Sequence, residues 1–199
     1  MTIEIEAGAS QNQYSTKRWS SRVAIRKHLR ECSALNRASL SPHRNYAVGS
    51  LIAMTQMRKL EEQVGAWPHV SVHPHRFGGR EFRFGNAELA HAHIGGAVDI
   101  PFPRAVRDAL LAEGLAEEHR WVPNSGWTTF HVRGEGDLRH ALWLMRLSYL
   151  RYALKTASDP SGMLERESEE LGLSPHLRSL LRQHLPTKPE CVTADPLTA

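Results

Sequence analysis

The sequence predicts an α+β fold, with a mainly antiparallel sheet packed on a long C-terminal helix and helical extensions on either side. Three observations predict this architecture. Strand-like segments follow one another between residues 70 and 102, instead of alternating one by one with helices. Apolar residues recur at helical spacing just before them, between residues 53 and 64. The segment 137–154 is apolar on nearly every side, which is typical of a buried helix.

The first helix of the domain is predicted from one apolar stripe, which Gly65 can end. The stripe consists of Ala53, Met57, Leu60 and Val64. The turn-rich segment 41–46 precedes it, so we expect the domain to cover residues 47–155. Residues 1–46 are expected to form a basic, partly disordered extension with a short amphipathic helix from about Trp19 to Cys32.

The sheet is predicted from short segments with alternating or β-rich composition, separated by glycine-containing turns. They are VSVHPH (70–75), REFRFG (80–85), AELAHAHI (87–94) and GGAVDIPF (95–102), the last being a strand or an extended crossing. Pro103 then suits the first turn of a helix that Gly114 stops. Two more strands are predicted at 119–122 and 126–133, around a Pro-Asn-Ser-Gly turn.

The long helix is predicted from Asp137, as its N-cap, to about Leu154. The segment SDPSG at 158–162 ends it. Residues 156–199 are expected to form a C-terminal extension of two short helices and a tail, with Ser174 as the N-cap of the second helix.

Length and charge exclude several classes of protein. The chain has 199 residues, no apolar run of the roughly 18–20 residues that a bilayer crossing needs, and only two cysteines. We therefore expect a soluble, cytoplasmic protein without a transmembrane segment. The net charge of +4 is compatible with nucleic-acid binding, but residues 1–50 carry +5 and residues 51–154 only +1. No specific nucleic-acid partner is predicted.

Histidines are the clearest indication of chemistry, since eight of the twelve lie between residues 69 and 140. His91 and His93 form a His-x-His pair on a predicted strand, and the period of two places both rings on one face. Such a pair can bind a metal ion, or act as a base with its orienting partner. It can also be a polar pair on a solvated face.

Asp99 lies within the apolar run AVDIPF, so it needs a polar partner if it is buried. One prediction is an ion pair with an arginine, namely Arg76, Arg104 or Arg146. The sharper prediction is that its carboxylate orients His91 or His93, as carboxylates do for catalytic or metal-bound histidines.

A second group of candidates lies in the segment HRWVPNSGW, which starts at His119. Trp121 and Trp127 flank a turn that contains Ser125, and they can form a wall for a flat ligand or pack in the core. In the long helix, Arg146 is the sole charge in LWLMRLSYL, so it is expected to be paired or to face a pocket with Tyr149 nearby.

Four motifs together resemble the luciferase-like domain family, which includes fungal luciferase and uncharacterised bacterial and archaeal proteins. They are ELAHAH, VDIPFP, AEGLAEEH and PNSGW, and the likeness extends through the closing helix to RLSYLRYAL. The resemblance covers about residues 50–154. The VDIPFP and PNSGW forms resemble the prokaryotic branch.

For the fungal branch, this resemblance implies oxygenation of a polyphenolic pyrone by molecular oxygen, without a recognised organic cofactor. We therefore expect a cofactor-independent oxygenase of a phenolic or enolic small molecule, with no light emission. His91 or His93, oriented by Asp99, would act as the base. Arg146 or His119 would stabilise negative charge. The expected substrate-binding residues are Trp121, Ser125, Trp127 and Tyr149.

Two other functions agree with the same residues. The chain could be a non-catalytic module that binds a small molecule or a partner. It could also be a metal-dependent enzyme, with His91 and His93 as ligands together with His119 or Asp99. A cupin site is a structural alternative, because Gly85 and the His-x-His pair fit the opening of that motif, but the glutamate expected after His93 is missing. Substrate, metal content and oligomeric state are not specified by the sequence.

Overall fold

The computed structural model describes the backbone of residues 42–186 and the side chains of residues 51–186. The α+β prediction is confirmed for this part of the chain. In chain order its elements are α1 (Pro42–Gly65), β1 (Val70–Pro74), β2 (Arg80–Phe84), β3 (Ala87–Ala92), β4 (Ala97–Pro101), α2 (Arg104–Ala112), β5 (Glu117–Glu118), β6 (Trp127–His131), α3 (Glu135–Thr156), α4 (Pro160–Glu170) and α5 (Pro175–Arg182). The helix predicted from Trp19 to Cys32 and the C-terminal tail lie outside the described residues.

None of the helices between residues 42 and 186 combines the length and the apolar character that a membrane crossing requires.

The six strands form one antiparallel sheet in the order β1-β2-β3-β4-β6-β5. In its centre His91 on β3 lies opposite Asp99 on β4, and Asp99 lies opposite Thr129 on β6. Because side chains alternate between the two faces of a strand, these three residues share one face. Their neighbours Ala92 and Val98 share the other face, which is buried.

The long helix α3 covers that buried face and contacts β3, β4 and β6. Its fully buried side chains include Leu144, Met145, Leu147 and Leu150. Burying a side chain of this size stabilises the fold by about 1.5–3 kcal/mol. Helices α4 and α5 add Leu164, Leu177 and Leu181 to the same core. Among residues 51–186 the hydrophobic core therefore lies on the α3 side of the sheet, and the opposite face is left to form a site.

A β-bulge interrupts the pairing of β2 with β3. Phe82 pairs with Ala90, but the next residue, Arg83, pairs with Glu88, so Leu89 has no partner of its own on β2. Leu89 and Ala90 are both fully buried. The extra residue turns Glu88 towards the face that carries His91, although strict alternation would place Glu88 and His91 on opposite faces.

Three local predictions are wrong. Residues 119–122 form no strand, because Nδ1 of His119 accepts the backbone N–H groups of Trp121 (3.1 Å) and Val122 (3.3 Å) and so bends the chain. Helix α3 starts at Glu135, with Gly134 at the N-cap position; Asp137 instead accepts the backbone N–H of Arg133.

Helix α1 starts at Pro42, within the segment predicted to be a turn, and proline is tolerated in the first turn of a helix. The predicted N-cap of α5 is confirmed, because Ser174 accepts the backbone N–H of Leu177.

The turn between β1 and β2 approaches β3 closely at one of its two glycines, and substitution of each glycine tests how much this contact contributes to stability. Gly78 and Gly79 both have a positive φ, +84° and +89°, but only at Gly79 would a Cβ atom collide with a backbone atom, the carbonyl oxygen of Ala92. We expect Gly79→Ala to lower the free energy of unfolding by at least about 1 kcal/mol more than Gly78→Ala, whose cost is the backbone strain alone. Urea unfolding of both variants measures the difference; equal losses would contradict it.

Candidate functional site

The free face of the sheet forms the floor of an open pocket of about 1420 Å³. The strands β3, β4 and β6 supply its polar floor. Its sides come from the β1–β2 turn, which includes His75 and Phe77, and from the segment after β5, which includes His119 and Trp121. This pocket contains most of the residues that the sequence singled out, although they come from four separate parts of the chain.

Asp99 lies at the centre of this floor. Its Oδ2 atom is 3.0 Å from Nε2 of His93, 3.3 Å from Nε2 of His91 and 3.5 Å from Nε2 of His119. We refer to these four residues as the Asp99-centred cluster. Three imidazole rings thus meet at one carboxylate oxygen, and the aspartate contacts histidines where an arginine was one expected partner.

The other oxygen of Asp99 is also engaged, because Thr129 donates its hydroxyl group to Oδ1 at 2.5 Å. Asp99 itself is only 5% exposed. Burial alone would raise the pKa of Asp99, but the hydrogen bonds from His91 and Thr129 outweigh it and lower the pKa to about 2. We therefore expect the carboxyl group of Asp99 to be ionised at neutral pH.

His91 lies between two carboxylates. Its Nδ1 atom is 2.6 Å from Oε1 of Glu88, and its Nε2 atom faces Asp99. Burial lowers the pKa of His91, but the hydrogen bonds with Asp99 and Glu88 raise it further than burial lowers it. His91 is therefore held in a position that favours a positive charge.

His119 has a fixed tautomer. Its Nδ1 atom accepts the backbone N–H groups of Trp121 and Val122, so this nitrogen carries a lone pair. In the neutral ring the proton is then on Nε2, the atom that faces Asp99. His119 is a hydrogen-bond donor in the pocket, and its Nε2 is not available as a metal ligand in this arrangement. The metal-ligand role predicted for His119 is not compatible with this geometry.

His75 covers the cluster from the side of the β1–β2 turn. Its ring stacks on His91 at 4.1 Å between centroids, with an angle of 10°, and meets His93 edge-on at 5.7 Å. Burial and the neighbouring His91 and His93 lower the pKa of His75. A neutral ring on this side restricts the movement of His91 without adding a charge.

Aromatic side chains form the walls of the pocket. The ring of Trp127 lies 5.1 Å from that of His91 and 6.1 Å from that of His119. Trp121 is further out and is 78% exposed, with the guanidinium group of Arg120 over its ring. Phe77 is exposed on the opposite side of the opening, where Arg76 lies over its ring. The two tryptophans therefore line the pocket and do not pack in the core.

Three predicted site residues do not line this pocket. Ser125 donates to the carbonyl oxygen of Val122 and accepts the backbone N–H of Trp127, so it shapes the turn between the two tryptophans. Arg146 forms an ion pair with Glu167 of α4, and its guanidinium group lies over the ring of Tyr149.

Both Arg146 and Tyr149 belong to α3, which packs on the opposite face of the sheet. This placement corrects two predictions. Arg146 does not lie where it could stabilise charge in the pocket, and Tyr149 does not lie where it could bind a substrate there.

Three residues of the site were not predicted: Glu88, Thr129 and His75. The alternation within β6 could have placed Thr129 beside Asp99, but only after the pairing of β4 with β6 was known. Glu88 depends on the bulge in β3. His75 belongs to the dense histidine region, yet nothing in its immediate sequence separates it from His73, which hydrogen bonds with Ser71 at the surface.

The side chains of His91, His93 and Asp99 are close enough to share one metal ion, since their ligand atoms all lie within 4.8 Å of one another. His75, Glu88 and His91 form a second such group. The arrangement can therefore share protons around one carboxylate, or hold a cation there.

Comparison with known proteins gives one family. No curated protein and no solved structure matches the chain. The family model described as Luciferase domain matches residues 86–148, from the start of β3 into α3. The chain is thus similar to the Luciferase domain family over the stretch that holds Glu88, Thr129 and the whole Asp99-centred cluster.

Proposed function

We propose that this protein is an oxygenase that acts on a phenolic or enolic small molecule in the pocket above the Asp99-centred cluster. The observation that carries the proposal is the meeting of three imidazoles at one buried carboxylate on the floor of an open, aromatic-lined pocket. Such polar groups are costly to keep together in a partly buried position, and they are concentrated at functional sites. The similarity to the Luciferase domain family supports an oxygen-dependent reaction.

The pocket favours a flat substrate with an acidic hydroxyl group. Trp127 offers an aromatic surface directly beside His91 and His119, so a planar ring can lie against it with its hydroxyl group near the cluster. The Nε2–H groups of His119 and of cationic His91 face Asp99, and a substrate oxygen that becomes negative would share these donors with the aspartate. Neutral aliphatic molecules would gain little from these groups.

The proposed reaction needs no other reagent than oxygen. The substrate's O–H proton passes to the cluster, and the electron pair of the resulting anion forms a bond from carbon to O₂. The proton then returns to the distal oxygen, which gives a hydroperoxide. Substrate and O₂ are thus consumed one to one, and O₂ gains the two electrons that the substrate carbon loses. Light emission is not expected.

Two finer proposals concern the lineage of the protein and its location in the cell. The VDIPFP and PNSGW segments support a place in the prokaryotic branch of the family. The composition, with two cysteines, supports a cytoplasmic location.

An oxygen-uptake screen tests the function. We expect the protein to consume oxygen with at least one member of a panel of phenols, catechols and hydroxypyrones, and not with the O-methylated form of the same compound. Heat-denatured protein is the control for spontaneous oxidation. Tight binding of panel members without oxygen uptake would overturn the proposal in favour of the non-catalytic module.

A further inference from the structure

We propose that His91, His93 and Asp99 form a binding site for one divalent first-row transition metal ion. Two histidines and one carboxylate are the protein ligands of many non-haem iron(II) sites, which keep further positions open for substrate and oxygen. The inference rests on the proposed function for its role, because it names the cofactor of that reaction. Its geometry stands independently, on three features of the cluster.

The first feature is the spacing of the ligand atoms. Two atoms that bind one ion at about 2.1 Å lie about 3.0–3.4 Å apart, for right-angled and tetrahedral arrangements respectively. Oδ2 of Asp99 is 3.0 Å from Nε2 of His93 and 3.3 Å from Nε2 of His91. Two of the three ligand-atom pairs therefore already have the spacing found around one ion, and all three atoms lie within 4.8 Å of one another.

The second feature is the number of nitrogen atoms around one oxygen. A carboxylate oxygen has about two lone-pair positions for hydrogen bonds, yet three imidazole nitrogens approach Oδ2 of Asp99. His119 is fixed as a donor by its contacts with Trp121 and Val122. A cation between Asp99, His91 and His93 satisfies the other two nitrogens through their lone pairs.

The third feature is the contact of Glu88 with His91. Histidines that bind metals commonly donate their second N–H group to a carboxylate, which fixes the ring and makes it a better ligand. Oε1 of Glu88 lies 2.6 Å from Nδ1 of His91 and meets this requirement. The stacked ring of His75 restricts His91 further. The bulge in β3 thus places the supporting carboxylate where a metal site needs it.

A bound cation fits the proposed chemistry. Metal ions lower the pKa of a hydroxyl group that coordinates them, so the ion would favour the substrate anion beside the cluster. The ion and a shared proton are alternatives at this position, because each supplies positive charge between Asp99 and the two imidazoles.

Cobalt(II) binding to tag-free protein tests the site, with equilibrium dialysis and the visible absorption of the ion as readouts. We expect wild type to bind one equivalent after it has been purified and stripped with a chelator. Asp99→Asn and His93→Asn should bind at least tenfold more weakly. Glu88→Gln, which retains all three ligands, should lose about 10–100-fold in affinity. Iron(II), added without oxygen, serves as a second probe.

One matched variant separates this site from general histidine binding. His73→Asn removes an exposed histidine outside the cluster and should keep wild-type affinity. Circular dichroism identifies variants that do not fold. If Asp99→Asn or His93→Asn does not fold, the affinity of Glu88→Gln for cobalt(II) decides whether the site exists. No binding by wild type, or equal binding by wild type, Asp99→Asn and Glu88→Gln, would overturn the proposal.

The outcomes for metal and for function are distinguishable. If wild type binds cobalt(II) as expected but neither the iron-loaded nor the cobalt-loaded protein consumes oxygen with any panel member, the metal site stands and the oxygenase proposal is overturned. If the stripped protein consumes oxygen as fast as the metal-loaded protein, the oxygenase proposal stands and the proposal that the ion is its cofactor is overturned.

Discussion

Asp99→Asn should reduce oxygen uptake at least a hundredfold while the protein stays folded. The substitution keeps the size of the side chain but removes the negative charge at which His91, His93 and His119 meet. General acid–base groups commonly contribute about 10²–10⁴-fold to a rate, and a carboxylate that organises three imidazoles affects all of them at once. The expectation is the same whether the cluster holds a proton or a metal ion.

The control for this variant is Asp108→Asn. Asp108 is an exposed aspartate on α2 whose only ion pair among residues 51–186 is with Arg107. Steady-state oxygen uptake with a panel substrate should be normal in Asp108→Asn and nearly absent in Asp99→Asn, at similar urea midpoints. Activity of Asp99→Asn within threefold of wild type would show that the cluster does not carry the reaction.

Glu167→Gln should lower the free energy of unfolding by about 2–3 kcal/mol without affecting the pocket. Removing one member of a buried ion pair leaves the other charge uncompensated, which costs about 3–5 kcal/mol at a fully buried position. The side chain of Arg146 is 24% exposed and that of Glu167 13%, so water reduces the cost here. Urea unfolding measures the loss.

The double variant Arg146→Met/Glu167→Leu completes the test. Replacing both charges by apolar side chains of similar volume should recover most of the stability that Glu167→Gln loses. Because Arg146 packs on Trp67 and Tyr149, on the helical side of the sheet, oxygen uptake should also be normal. Loss of activity in the double variant at normal stability would instead give Arg146 a role in the reaction.

Those parts of the site that follow from strand periodicity could be predicted from the sequence. The period of two places His91 and His93 on one face, and an aspartate inside an apolar strand requires a polar partner. The structure brings these three residues together on the free face of the sheet. Their shared chemistry stays a prediction until the variants are measured.

Glu88 could not be predicted, because its direction depends on a bulge. Read with strict alternation, Glu88 points away from His91, and no residue in AELAHAHI indicates where an extra residue is inserted. The insertion follows from the pairing of β2 with β3, in which Leu89 fills the core. Pairing between strands is a tertiary property that a single segment does not contain.

Arg146 shows a different limit of prediction from the sequence. A sole charge in an apolar helix predicts a partner, but the sequence does not say whether that partner lies in a pocket or in a neighbouring helix. Here the partner is Glu167, 21 residues further along the chain. The strand predicted at 119–122 failed for a related reason, because a single side-chain nitrogen of His119 captures two backbone N–H groups and bends the chain.

The short strand β5 gives the two sides of the pocket different mechanical properties. His91, His93 and Asp99 lie on or directly beside central strands backed by the core, whereas His119 and Trp121 follow a strand of two residues at the edge of the sheet. Edge segments with few backbone hydrogen bonds open at a free-energy cost far below that of global unfolding. We therefore expect the wall that carries His119 to open at a lower free-energy cost than the central strands, and each opening would separate Nε2 of His119 from Asp99.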